Sequence, residues 1–99
     1  MKFYMENNEH YFYVLTCKDG SFYGGYTNNL ERRIKLHNEG KGAKYTRGRG
    51  PVTLTFFKQY STKSDALKAE WQFKHLNRKK KIEFLRKEMG ELDVAAEEF

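Results

Sequence analysis

Two short apolar runs near the start of the chain predict a β-hairpin. Residues 10–17 are almost continuously apolar and aromatic, which is typical of a strand that is covered on both faces. An Asp-Gly pair at 19–20 then predicts a tight reversal, and residues 21–27 return as a second strand. Two glycines at 24–25 weaken this strand as a packing element. They make room for an aromatic side chain, let a ligand approach closely, or do both.

A third strand is predicted after Pro51. Val52, Leu54 and Phe56 alternate with two threonines, which predicts that these three apolar residues share one face of the sheet. Phe57 suggests that part of the opposite face is covered as well.

Three helices are predicted from capping residues that are followed by apolar periodicity. On the first, Leu30 and Ile34 define the buried stripe, while Arg33 and His37 fall on one flank of it, about 40° apart. The predicted caps are Asn28 with Glu31 for the first helix, Thr62 with Asp65 for the second, and Asn77 for the third, which ends before Gly90.

The second helix carries an acidic residue in an apolar setting. Glu70 lies near the middle of a face formed by apolar residues at four positions. A buried carboxylate is unfavourable unless it is paired or binds a cation. Two interpretations stay open, namely an ion pair with Lys74 one turn later and a metal site. The four apolar residues of this face are Ala66, Leu67, Trp71 and Phe73.

The order strand-strand-helix-strand-helix-helix predicts a small α/β (α+β) domain with a three-stranded antiparallel sheet and flanking helices. The first two strands are joined too tightly to run parallel. A chain of 99 residues holds one domain. We predict a flexible N-terminal arm at 1–9, the domain at 10–89 and an acidic tail at 90–99.

The charge of the chain suggests a polyanionic partner. The formal net charge is +6, and residues 1–89 contain 19 basic but only nine acidic residues. Nucleic acid is the commonest partner of so basic a domain, although a merely soluble basic surface would look the same. Cys17 has no partner cysteine, and no apolar run approaches the length of a membrane span, so we expect a cytoplasmic protein that does not contact membranes.

A glycine-rich basic loop follows the first helix. Its backbone N–H groups and cations could hold phosphates, and its aromatic residue could stack on a base. The alternative is a solvated loop that the aromatic residue anchors. A second basic run, at 78–81, lies at the predicted start of the third helix. The candidate nucleic-acid-binding residues of the loop are Lys41, Lys44, Tyr45, Arg47 and Arg49.

Several residues from the hairpin and two helices together resemble a known enzyme family. The residues are the triplets Tyr11-Phe12-Tyr13 and Tyr23-Gly24-Gly25, then Arg33 and His37 one helical turn apart, and Glu70. This combination resembles the GIY-YIG nuclease family over roughly residues 10–85, although the name-giving Gly and Ile are absent from the triplets. The loop is similar to those of the small stand-alone, single-domain bacterial branch.

The resemblance implies a metal-dependent endonuclease that hydrolyses phosphodiester bonds. It suggests DNA rather than RNA as the partner, with structured or branched DNA in repair or recombination as the substrate, and it allows for a protein partner that supplies substrate specificity. The alternatives are a non-catalytic nucleic-acid-binding module and a nuclease subunit that is active only with a partner. The resemblance implies that Tyr13 orients or deprotonates the attacking water and that Tyr23 supports Tyr13 in this role. Arg33 would bind the scissile phosphate, and His37 would assist the proton transfer. Glu70 would ligate a single Mg²⁺ (or Mn²⁺).

An active site that contains both Tyr13 and Tyr23 restricts the number of residues in the hairpin turn. A two-residue loop would pair Lys18 with Ser21 and place Tyr13 and Tyr23 on opposite faces, because side chains alternate along a strand. A three-residue loop would instead pair Cys17 with Ser21 and place both tyrosines on one face. We therefore predict the odd-length loop, with its glycine in a left-handed conformation and the glycine opposite the first tyrosine clearing space for it.

Overall fold

The computed structural model describes residues 9–90, so the predicted arm at 1–9 and tail at 90–99 lie outside the described residues except at their borders. The predicted fold is confirmed: three antiparallel strands, with the first strand between the other two, carry three helices. Within the described range, no helix is long and apolar enough to cross a bilayer. The elements are β1 (His10–Thr16), β2 (Phe22–Thr27), α1 (Leu30–Asn38), a 3₁₀ turn (Lys44–Thr46), β3 (Thr53–Tyr60), α2 (Lys63–Lys74) and α3 (Arg78–Glu88).

The hairpin has the predicted three-residue loop. The N–H of Cys17 donates to the carbonyl of Ser21 at 2.8 Å, and Gly20 has a φ of +86°, the left-handed conformation that glycine adopts most readily. Tyr13 therefore pairs with Gly25. Tyr23 pairs with the residue two positions after Tyr13, so the two tyrosines lie on the same face of the sheet.

The central strand is buried on both faces, as its composition predicts. Phe12 and Val14 form one core with Phe73 and Leu85, which come from α2 and α3. Tyr13 and its neighbours on the opposite face form a second core against α1. Leu30 and Ile34 of α1 are half-buried and pack against this second core, as predicted.

The predicted common face of the third strand is wrong. The pairing of β1 with β3 shifts by one residue, so that Val14 faces Phe56 but Leu15 faces Leu54. This irregularity reverses the alternation, and Phe56 and Leu54 accordingly pack in different cores. The opposite face is covered in part, as predicted, because Leu54 packs in the second core, although Phe57 itself is 49% exposed.

The predicted buried face of α2 is correct only in part. Phe73 is buried, whereas Leu67 and Trp71 are 39% and 61% exposed. Phe73 packs so closely on β2 that a Cβ atom at Gly24 would lie 2.9 Å from its ring. The helix is therefore held by its Ala66-Phe73 side, and the side with Trp71 is left facing solvent.

The helix caps follow the sequence closely. Thr62 accepts from the N–H of Asp65, and Asn77 caps α3, as predicted. The first cap is Asn29 rather than Asn28, because Asn29 is the residue with extended backbone whose side chain accepts from the N–H of Arg32.

Candidate active site

Three of the predicted site residues form an aromatic group on the α1 face of the sheet. The ring centroids are 6.3 Å apart for Tyr13 and Tyr23, 5.9 Å for Tyr13 and His37, and 5.3 Å for Tyr23 and His37. The hairpin register supplies the two tyrosines. His37, in the last turn of α1, is buried, so the helix directs its imidazole at the sheet.

Two glycines allow these rings to approach the backbone. A Cβ atom at Gly25 would lie 2.5 Å from the hydroxyl oxygen of Tyr13, and one at Gly42 would lie 2.9 Å from the Cα of His37. Both distances are too short for real contacts. Of the two sequence-based explanations of the glycine pair in β2, room for an aromatic side chain is therefore the one that the packing supports.

A hydrogen bond joins the two groups that the family resemblance pairs in proton transfer. The hydroxyl of Tyr13 lies 2.8 Å from Nε2 of His37. On the other side of the imidazole, Nδ1 lies 2.8 Å from Oγ1 of Thr46. Thr46 is buried among loop residues that are exposed or half-buried. It is missing from the predicted site because a lone threonine in a basic loop forms no distinguishing sequence pattern.

Arg33 and Glu70 act electrostatically on the same phenol. Burial raises the pKa of Tyr13 to about 12, and the negative charge of Glu70 contributes to the rise. The side chain of Arg33 opposes it through a hydrogen bond and its positive charge. All five predicted site residues thus lie in one neighbourhood around Tyr13.

The carboxylate of Glu70 is paired with Lys74, as one of the two interpretations of the sequence anticipated. Nζ of Lys74 lies 2.9 Å from Oε2 of Glu70 and 5.2 Å from the ring centroid of Tyr23. The Glu70 side chain is only 18% exposed. The ammonium group of Lys74 is therefore close to both the Glu70 carboxylate and the Tyr23 ring.

Glu70 could ligate a divalent ion only if Lys74 moves away from it. Among residues 9–90, no cluster of three or more His, Cys, Asp or Glu could hold a metal. Mg²⁺, however, is commonly held by one or two carboxylates together with substrate phosphates. Glu70 provides such an oxygen ligand, provided that the ammonium of Lys74 is displaced.

Two of the five predicted loop residues are engaged within the protein. Tyr45 stacks on Tyr23 with ring centroids 5.9 Å apart, and the Arg49 guanidinium lies 4.2 Å above the Tyr45 ring. Arg49 also forms an ion pair with Asp19 at 3.1 Å. The remaining three predicted residues of the loop have exposed side chains, and they are Lys41, Lys44 and Arg47.

The environment of His37 makes folding sensitive to acid. Burial, assisted by the positive charge of Arg33, lowers the pKa of His37 to about 4 from an ordinary value of 6.5. Between these two values the unfolded chain binds a proton that the folded protein does not. The free energy of unfolding should therefore fall as the pH drops from about 6.5 to 4, by about 3 kcal/mol in total from this residue.

Urea unfolding of the wild type and of His37→Gln at several pH values measures this contribution. Carboxylates also titrate below pH 5, but they are common to both proteins, so the difference between the two curves isolates the histidine. Parallel curves from pH 7 to pH 4 would contradict the prediction.

Comparison with known proteins gives consistent matches. Residues 9–83 match the GIY-YIG catalytic domain. A UPF0213 protein from Bacillus licheniformis is 56% identical over 87 residues, which cover 88% of this chain and 90% of that protein. The UPF0213 protein YazA from Bacillus subtilis is 60% identical over 77 residues, or 78% of each chain.

Solved structures agree with the sequence matches. The solution NMR structure of a protein from E. faecalis superimposes with a TM-score of 0.58 at 52% identity, covering 83% of this chain and 88% of that one. The solution NMR structure of a UPF0213 protein from Bacillus halodurans gives a TM-score of 0.53 at 53% identity, covering 77% and 81%.

Proposed function

The chain belongs to the GIY-YIG family of nuclease domains, and on that premise we propose that it is a metal-dependent endonuclease that hydrolyses phosphodiester bonds in DNA. The observation that carries the proposal is the buried hydrogen bond between Tyr13 and His37, formed beside an arginine and a carboxylate. The bond gives the phenol a proton acceptor, which the hydrolytic chemistry requires.

The chemistry requires a base, and Tyr13 alone is a poor one. A phenol with an ordinary pKa of ~10 is rarely ionised at neutral pH, and burial raises the pKa of Tyr13 further, to about 12. Nε2 of His37, at 2.8 Å, is placed to accept the phenolic proton while the phenol takes one from water. Arg33 supplies positive charge for the scissile phosphate.

Glu70 would hold the divalent ion, Mg²⁺ or Mn²⁺. Such an ion supplies positive charge at the phosphoryl oxygens when it is bound. Until then Lys74 pairs with the half-buried carboxylate and neutralises its charge. Substrate phosphates would complete the coordination of the ion.

The exposed basic residues of the loop are the proposed site of DNA binding. Lys41, Lys44 and Arg47 are exposed on the loop that also contacts His37 and Tyr23, so a strand bound there would approach the site. Tyr45 and Arg49 are also part of the proposed interface. To contact DNA, they would have to leave their present contacts within the protein. Structured or branched DNA, and a protein partner that selects it, follow from the family resemblance.

The decisive experiment is a cleavage assay on the purified chain. Labelled single-stranded, duplex, flap and branched oligonucleotides are incubated with and without Mg²⁺ or Mn²⁺. Metal-dependent cutting that Glu70→Gln removes would support the enzyme. Salt-sensitive binding without cutting would favour the non-catalytic module, and cutting that appears only on addition of cell extract would favour a subunit that needs a partner.

Replacing Lys41, Lys44 and Arg47 together by alanine should weaken DNA binding. Each lost phosphate contact lowers the slope of log K against log salt by about 0.7 to 0.9, so the triple variant should lower it by about 2 to 3. Fluorescence anisotropy of a labelled oligonucleotide at several salt concentrations measures this slope. The net-charge control removes three exposed lysines of α3, which are Lys79, Lys80 and Lys87. Loss of binding in the control alone would move the interface to α3.

A further inference from the structure

The hydrogen bonds around His37 have a determined direction. Oγ1 of Thr46 lies 2.9 Å from the carbonyl oxygen of Ala43 and 2.8 Å from Nδ1 of His37. A carbonyl can only accept, so the single hydroxyl hydrogen of Thr46 is donated to Ala43. Towards the imidazole, Thr46 must then accept, which requires that Nδ1 of His37 carries the hydrogen.

The hydrogen on Nδ1 decides what the other nitrogen can do. A neutral imidazole has one N–H, so Nε2 is left with its lone pair. The group 2.8 Å from Nε2 is the hydroxyl of Tyr13, which is therefore the donor. Burial of His37 disfavours the charged imidazolium, so the neutral, ordered arrangement is the resting state at neutral pH.

The threonine is held in place by the same loop that carries the basic residues. Its N–H also donates to the carbonyl of Ala43, at 3.1 Å, which closes the 3₁₀ turn. Gly42 packs directly on His37. The hydroxyl is consequently fixed against the imidazole from the loop side, independently of α1.

We propose that Thr46 is a positioning residue that selects the Nδ1–H tautomer of His37 and so leaves Nε2 free to take the proton of Tyr13. The inference rests on the proposed function. In the reaction the O–H bond of Tyr13 breaks, its electron pair stays on the oxygen, and the hydrogen bonds to Nε2 as Tyr13 accepts a proton from the attacking water. The water oxygen bonds to phosphorus and the P–O bond to the leaving oxygen breaks. The imidazolium keeps its Nδ1–H on Thr46 and returns the extra proton from Nε2 to the Tyr13 oxygen, and Tyr13 passes its own proton to the leaving oxygen.

The tautomer can be read without substrate or metal. Heteronuclear NMR of ¹⁵N-labelled protein at neutral pH distinguishes a protonated from an unprotonated imidazole nitrogen. We expect the wild type and Thr46→Ser to show a protonated Nδ1 and an unprotonated Nε2, because serine keeps the hydroxyl. In Thr46→Val, of equal shape but without an acceptor, a substantial share of His37 should carry its hydrogen on Nε2.

Activity supplies the second readout. Thr46→Val should lower kcat by about 100-fold, the lower end of the contribution of general acid–base catalysis, and Thr46→Ser should stay within a few-fold of the wild type. A wild-type spectrum with Nε2–H, an unchanged tautomer in Thr46→Val, or a changed tautomer with unchanged kcat would each overturn the inference.

The two readouts separate this inference from the proposed function. If the wild type cuts no substrate, the proposed function fails, while the tautomer spectra still decide which hydrogen bond Thr46 makes. If Thr46→Val does not fold, the wild-type spectrum and the Thr46→Ser comparison still test the assignment, since both must show protonated Nδ1.

Discussion

We expect Glu70→Gln to lower the rate of metal-dependent cleavage by about 1,000-fold or more, equivalent to about 4 kcal/mol. Glutamine keeps the shape of the side chain but removes the charge that, in the proposed function, would hold a divalent ion. Stability should change by less than about 1 kcal/mol, because the ion pair with Lys74 is partly exposed and such pairs contribute little. Initial rates at several Mg²⁺ concentrations and a thermal melt measure the two effects.

Lys74→Met is the matched control for Glu70→Gln. It breaks the same ion pair from the other side and keeps most of the aliphatic stem. If Glu70 binds the metal, Lys74→Met removes a competing cation, so cleavage should persist and reach half its maximum at a lower Mg²⁺ concentration. If Glu70 serves only as the partner of Lys74, both variants should melt alike and Glu70→Gln should cut normally.

The sequence predicted best where a local rule allowed few alternatives. The hairpin is the clearest case, because side chains alternate along a strand and a shared site for Tyr13 and Tyr23 then requires a loop of odd length. The observed pairing of Tyr13 with Gly25 follows from that parity. Caps such as Thr62 and Asn77 were equally accessible, since they depend on hydrogen bonds within three residues.

The incorrect predictions concern contacts between distant parts of the chain, which local sequence patterns do not determine. A helical wheel shows that Leu67 and Trp71 share a side of α2, but not that this side is left exposed to solvent. The register shift that separates Leu54 from Phe56 occurs without a glycine or proline to mark it. Thr46 reaches His37 only because the loop folds back onto α1.

Tyr13→Phe should lower kcat by about 100- to 10,000-fold, the range attributed to a positioned proton-transfer group. The variant also leaves Nε2 of His37, which is buried, without its donor, so it should lower the free energy of unfolding by about 1 to 3 kcal/mol. Single-turnover cleavage and urea unfolding measure the two losses.

Tyr23→Phe removes the same hydroxyl from the neighbouring ring and is the control for this prediction. Both nitrogens of His37 are occupied by Tyr13 and Thr46, so Tyr23→Phe should leave stability nearly unchanged and slow cleavage less than Tyr13→Phe does. If Tyr13 and His37 act as one unit, combining Tyr13→Phe with His37→Gln should slow the reaction little more than either change alone. Full additivity of the two losses, or a larger loss in Tyr23→Phe than in Tyr13→Phe, would show that the Tyr13–His37 hydrogen bond does not carry the proton.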